Sequence, residues 1–346
     1  MRISMPLQYA GDPKQAVDQV VELEKVGLDT VWVAEAYGYD SPTFMGYIAA
    51  RTERVNIAAA ILNVYTRTPS LIAQTAAGLD YLSDGRAVLG LGASGPQVIE
   101  GWHGVPYKRP LAATRETVEI CRKIWAREER LTHDGAVFTL PLPPEDGTGL
   151  GKPLKLINHP VRPAIPTFIA SLGAKNVALT AEIADGWLPI LFIPEKADAV
   201  WGAALAEGAA KRSPDLGPLQ IAAGGMLAIG EGPETKALLD FARPMIALYV
   251  GGMGAKGKNF YNTLAQRYGY ADAAAEIQDR YLAGDKEGAA AAVPEEMLEL
   301  TNLVGPESYV RERVEAFREA GVTHLNVTPA ADDPVALIEK VNGWLS

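Results

Sequence analysis

Residues 55–110 read VNIAAAILNVYTRTPSLIAQTAAGLDYLSDGRAVLGLGASGPQVIEGWHGVPYKRP, and the order of punctuation in this stretch decides the fold. Val55 to Ile61 is a short apolar run, β-branched in part, as in a strand buried on both faces of a parallel sheet. Thr68 then supplies a helix cap and Pro69 suits the first helical position. Ile72, Ala76, Leu79 and Leu82 keep one apolar face toward the sheet. Ser83-Asp84-Gly85 stops the helix, and a second buried strand follows to Leu91. This is a strand–helix–strand unit with a long polar loop after its first strand, where such units carry their functional groups.

The same alternation extends in both directions along the chain. Strands are expected at Ile3 to Leu7, Thr30 to Ala34, Val55 to Ile61, Ala87 to Leu91, Thr167 to Ser171, Gly186 to Leu191, Gln220 to Ile229 and His324 to Thr328, with amphipathic helices between them. Eight strand–helix units imply an α/β fold, a closed (β/α)8 TIM barrel with its active site at the carboxyl ends of the strands. The chain, 1–346, is read as one barrel domain with insertions at about 127–165 and 245–304. The first contains LPLPPEDGTGLGKP, too rich in proline and glycine for regular structure, and the second reads as mostly helical. Loops of this length serve as lids, ligand walls or subunit contacts, or simply cover the rim.

Composition narrows the partners. Of 346 residues 48% are hydrophobic and 21% charged, enough to bury a large core, and the formal charge of −10 argues against nucleic acid or an anionic membrane. A small-molecule substrate is the remaining option. The single cysteine, Cys121, shares a helical stripe with Leu111, Val118 and Trp125, so it reads as packing. Residues 1–9 read as a strand without the basic and apolar regions of a signal peptide, and no apolar run reaches membrane-spanning length; a cytoplasmic protein is expected.

Elimination narrows the chemistry as well. No expected strand contains lysine, which removes a Schiff-base barrel mechanism. His103, His133, His159 and His324 are scattered without metal-ligand spacing, so no metal is expected. Ser94 lies in GASG, which lacks the G-x-S-x-G nucleophile pattern. Side chains this mild are expected where a bound cofactor carries the reaction.

The stretches AILNVYTRTPSLIAQ, LDYLSDGRAVLGLGAS and EGWHGVPYKRP, with RISMPLQ, TVWVAEAYGYDSP, ASLGAKNVALTAEIADGWLP and VTHLNVTP in the same order, resemble the luciferase-like oxidoreductases. Within them the chain resembles the branch that uses the deazaflavin coenzyme F420. The YTR-x-P wording is similar to the methylene-tetrahydromethanopterin reductases. The resemblance implies an oxidoreductase that moves a hydride between F420 and an organic substrate, acting as a homodimer. An FMN-dependent monooxygenase is the alternative within the fold, and a non-catalytic deazaflavin- or flavin-binding carrier is the alternative outside enzymes.

The resemblance also places a site. The corner Ala60-Ile61-Leu62-Asn63 corresponds to a bulge with a cis Ala60-Ile61 peptide, where the coenzyme ring rests. Asn63 can offer both a donor and an acceptor to a ring edge. Gly92, Ala93 and Ser94 permit close backbone approach to a flat ring, with Ser94 as a donor. Ala170, Ser171, Leu172, Gly173 and Ala174 open a helix whose free N–H groups suit the coenzyme phosphate, unless Ser171 simply caps it. Glu35 takes an acidic position that contacts the deazaflavin and is a catalytic candidate with Tyr37 and His103; Tyr37 and His103 could supply or relay a proton, unless His103 is simply a structural loop residue. The sugar-phosphate dehydrogenases of this branch have histidine where this chain has Ala36 and glutamate where it has Gly95, which disfavours their substrate. Gly251 to Lys258, with Lys256 and Lys258, is a glycine-rich basic patch that suits an anionic coenzyme tail or is a solvated loop.

Overall fold

In the computed structural model, which describes residues 1–7 and 11–345, the eight strands form in the expected order. They are β1 (Arg2–Leu7), β2 (Leu28–Val33), β3 (Asn56–Ala59), β4 (Ala87–Gly92), β5 (Thr167–Ala170), β6 (Gly186–Leu188), β7 (Gln220–Ala223) and β8 (His324–Asn326). Each pairs in parallel with its neighbours, and β8 returns to β1, with Arg2 opposite His324. The sheet is therefore a closed (β/α)8 barrel. The strand expected from residues 1–9 is seen over Arg2–Leu7; Gln8 and Tyr9 lie outside the described residues.

Several strand ends differ from expectation for local reasons. Gln220 to Ile229 is two strands: the chain breaks at Gly224-Gly225, and Met226–Ile229 pairs with Leu303–Gly305 and Thr328–Pro329 in a separate three-stranded sheet. A Cβ on Gly224 would lie 2.3 Å from the Asn326 carbonyl oxygen and one on Gly225 2.2 Å from that of Thr301, so the backbones cross too closely for side chains. The run from His324 to Thr328 divides at Val327. β6 stops at Leu188, and the chain then turns through Leu191 at φ 52°. β3 ends at Ala59, so Ala60 and Ile61 stand outside the ladder.

Two apolar cores hold the barrel. The larger lies between strands and helices and includes Ile3, Val31, Ile57, Leu89, Ile169 and Leu325 with Leu23, Ile72, Val118 and Val177. Cys121 is fully buried in it, and burial pushes its thiol pKa up. The smaller core fills the barrel's interior with Trp32, Ala58, Phe168 and Ala222, and the Trp32 and Phe168 rings meet edge to face at 5.0 Å. Partly buried Ala60, Val88 and Leu188 pack against it. Gly186 makes room for the ring: a Cβ there would stand 2.1 Å from Phe168 Cε1.

The first insertion holds a small antiparallel hairpin, His133–Asp134 with Thr139–Leu140, and a short turn at Pro144–Asp146. Helices Phe260–Arg267, Ala271–Leu282, Lys286–Ala291 and Glu295–Thr301 fill most of the second. Among the described residues no helix is long and apolar enough to cross a membrane.

Candidate active site

The chain leaves the ladder at Ala60 and rejoins it at Leu62–Asn63, which pairs with β4 opposite Leu91 and Gly92. The Ala60-Ile61 peptide between them is cis, as the resemblance implied. Gly90 and Gly92 shape β4 to this bulge. A Cβ on Gly90 would stand 1.7 Å from the Ala59 carbonyl oxygen, and one on Gly92 2.9 Å from Ile61 Cγ1. Ile61 thus lies on bare backbone, with Ala60, Ile61 and Ala170 partly exposed around it. The result is a bay lined by small residues at the carboxyl ends of β3, β4 and β5.

Asn63 is buried, and its Oδ1 accepts the amide hydrogens of Tyr65 and Thr66 at 3.2 and 2.9 Å. Its acceptor is therefore committed to the turn, and only the Nδ2 donor is left for a ligand. This corrects the expectation of a donor and an acceptor. Thr68 caps the helix Pro69–Leu82, its hydroxyl accepting from the Leu71 amide.

Glu35 follows β2 and is anchored rather than free. Its Oε2 accepts from the Ser41 amide and hydroxyl at 2.7 and 3.1 Å, and Arg67 grips the same carboxylate with Nη1 on Oε1 at 2.5 Å and Nη2 on Oε2 at 3.0 Å. Both side chains are nearly enclosed, 16% exposed for Arg67 and 8% for Glu35. Arg67 was not singled out from the sequence. A buried acid at a strand end needs a cation in reach, and Arg67, in the loop after the neighbouring β3, supplies it.

The loop after β4 forms the opposite rim. Ser94 is left-handed at φ 56° and exposed, and its carbonyl accepts the Tyr107 hydroxyl at 3.3 Å. Tyr65 packs on Tyr107 with ring centroids 5.1 Å apart and donates to the Lys108 carbonyl, tying this loop to the one after β3. Burial, and for Tyr65 also the neighbouring Tyr107 phenol, pushes both hydroxyl pKa values up, so both stay neutral donors. Tyr37 and Trp102 are exposed with ring centroids 6.2 Å apart, and exposed His103 follows Trp102. The structure therefore brings Tyr37 and the His103 loop to one rim, while Glu35 sits below it in its ion pair.

Beyond β5 the serine does not cap. Ser171 Oγ meets Thr180 Oγ1 at 2.8 Å, and since that threonine gives its own hydrogen to the Asn176 carbonyl, Ser171 is the donor. The helix Ala174–Ile183 begins at Gly173 with no side-chain cap. Two indoles hold the turn before it: Trp187 Nε1 donates to the Ser171 carbonyl at 2.9 Å and Trp201 Nε1 to that of Leu172 at 3.0 Å. The helix's first N–H groups accordingly have no side-chain acceptor from its N-cap residue. Phe260 stands over Gly173, 3.4 Å from where a Cβ would lie, and brings the basic patch near. Within that patch Lys256 is paired with Asp279 at 2.6 Å. Among the described residues no group of three or more His, Cys, Asp or Glu side chains converges as a metal site would require.

Comparison with known proteins agrees with this architecture. A protein named as a coenzyme F420-dependent oxidoreductase in Mycobacterium tuberculosis is 39% identical over 341 residues, covering 97% of each chain. The 5,10-methylenetetrahydromethanopterin reductase of Archaeoglobus fulgidus is 26% identical over 87% of this chain and 85% of its own. The solved coenzyme F420-dependent tetrahydromethanopterin reductase of Methanopyrus kandleri superposes with a TM-score of 0.78 at 23% identity, covering 99% of this chain and 97% of that one. The family model described as luciferase-like monooxygenase matches residues 1–324. This chain belongs to the luciferase-like monooxygenase family.

Proposed function

We propose that the protein is an oxidoreductase that exchanges a hydride between coenzyme F420 and an organic substrate at the mouth of the barrel. One observation carries the reading: Ile61 on Gly92 and the uncapped helix start at Gly173 stand at the ends of neighbouring strands, which suits a flat ring at the first and an anion at the second. The M. tuberculosis relative, alike over nearly its whole length, supports the choice of coenzyme.

Ala60, Ile61, Gly92 and Ala93 would hold the ring, with Asn63 Nδ2 donating to its edge, and the amides after Leu172 would hold the phosphate. When bound, the deazaflavin supplies two-electron hydride chemistry. The chain's own residues bind, orient and exclude water. Tyr37 and His103, both exposed, would pass a proton to substrate, and exposed Ser94 would donate to the ring. Lys258 adds positive charge near the tail. We place the protein in the cytoplasm as a homodimer; exposed Leu142, Leu150, Leu154 and Ile157 on the first insertion offer apolar surface for a second copy.

Titrating the purified apoprotein with F420 and with FMN tests the proposal. Preferential uptake of F420, followed by hydride exchange with a member of a panel of carbonyls, imines and alkenes, is the expected result. Preference for FMN would replace it with the monooxygenase reading, and tight F420 binding without exchange would replace it with a carrier.

A further inference from the structure

We propose that Arg67 is a positioning residue: its ion pair with Glu35 locks the loop after β3 to the loop after β2, and this lock sets Asn63 and Ile61 in place for the ring. The geometry carries the inference. Glu35 ties three elements at one carboxylate, namely the end of β2, the first residue of the helix Ser41–Arg51, and the Arg67 guanidinium. Arg67 is itself fixed from behind, because Asn63 Oδ1 closes the turn at Tyr65 and Thr66 and Thr68 caps the next helix. The segment from Asn63 to Thr68 is thus pinned at both ends and braced in the middle. A carboxylate that already accepts four hydrogen bonds serves as an anchor, which leaves proton transfer to the rim groups Tyr37 and His103. Paired forks of this kind fix direction as well as distance, which a lysine's single point charge does not.

The inference rests on the proposed coenzyme reading for its consequence, and the test separates the two. Arg67→Met, Glu35→Gln, the double variant and Arg67→Lys are compared with wild type, with thermal unfolding as the check on folding. Amide hydrogen exchange of residues 35–41 and 63–68 in the apoprotein is read first. Both single variants should speed exchange in both segments, and the double variant should be no worse than the worse single one. Arg67→Lys should recover part of the protection. In coenzyme titrations both single variants should lose roughly tenfold in affinity, the size expected of one coupled pair.

Unchanged exchange in Arg67→Met would overturn the lock, whatever the coenzyme proves to be. If Glu35→Gln instead keeps full coenzyme affinity, loses turnover and loses one limb of the pH–rate profile, while Arg67→Met does not, then Glu35 is the proton-transfer group and the positioning role is wrong. If wild type takes up no F420 but the exchange results hold, the coenzyme reading fails and the lock stands.

Discussion

Two glycines on β4 respond to the same substitution in different ways, because one faces backbone and the other a side chain. An alanine Cβ at position 90 would meet the Ala59 carbonyl oxygen at 1.7 Å and its carbon at 2.8 Å. Neither atom can move without pulling β3 out of the barrel. Gly90→Ala should cost about 3 kcal/mol or more in denaturant unfolding. At position 92 the neighbours are Ile61 Cγ1 and Cδ1, at 2.9 and 3.1 Å, and a rotamer change can relieve them. Gly92→Ala should therefore change stability by only about 1 kcal/mol, while displacing Ile61 into the bay and weakening coenzyme uptake in the same titration used for wild type. Equal losses of stability in the two variants would contradict this account of the bulge.

At the scale of elements, one buried carboxylate joins the first helix to the third strand. Glu24, in the last turn of Pro13–Lys25, accepts the amide hydrogens of Glu53, Arg54 and Val55 at 3.0, 2.5 and 2.7 Å just before β3 begins. Burial alone would raise its pKa, but the three amides and the Arg54 charge outweigh burial and hold it below the ordinary glutamate range. A lowered folded value means that this stabilisation is present above the unfolded pKa and is lost as pH falls through the folded one. Glu24→Gln should cost about 1–3 kcal/mol at neutral pH, and its unfolding free energy should depend less on pH in the acid range than that of wild type.

Elements of this kind mark what the sequence made legible and what it did not. Strands and helix caps were readable where the signal is local: Thr68 with Pro69 begins a helix as expected, and Ser83 ends it ahead of left-handed Asp84 and Gly85. The split at Gly224-Gly225 was hidden because it answers to Asn326 and Thr301, both more than seventy residues away. The strand Leu303–Gly305 was hidden because three apolar residues between helices carry no period. In the site, Glu35, Asn63 and the Ser171 turn were named from the sequence, but their hydrogen-bond partners were not. Arg67, Trp187 and Trp201 reach their targets across the fold, and no spacing along the chain announces them.

For the whole molecule, the end of the barrel opposite the bay contains a titrating group. His324 on β8 is 4% exposed, its Nδ1 lies 3.0 Å from the Thr323 hydroxyl, and its ring stands edge to face with Phe168 at 5.8 Å. Burial pushes its pKa down to about 4, against a smaller upward pull from Asp29. The neutral imidazole is therefore favoured in the folded state. Its contribution to stability is complete above the unfolded pKa of about 6.5 and is lost progressively as pH falls toward the folded value. Wild type should lose on the order of 2 kcal/mol across that window from this group. His324→Gln should show a flatter dependence over the same range in pH-resolved denaturant titrations, and an unchanged slope would place the acid sensitivity elsewhere.

β1 has two neighbours of very different age on a growing chain. β2 follows it within a few tens of residues, whereas β8 supplies Asn326 to Ser4 across 322 positions of sequence. During synthesis the cylinder therefore exists as an open, lengthening sheet with one edge of β1 unpaired until β8 is available. An exposed edge is a template for wrong partners. Closure of this barrel therefore waits on β8, and a chain without that strand holds an open parallel sheet with both of its edges unpaired.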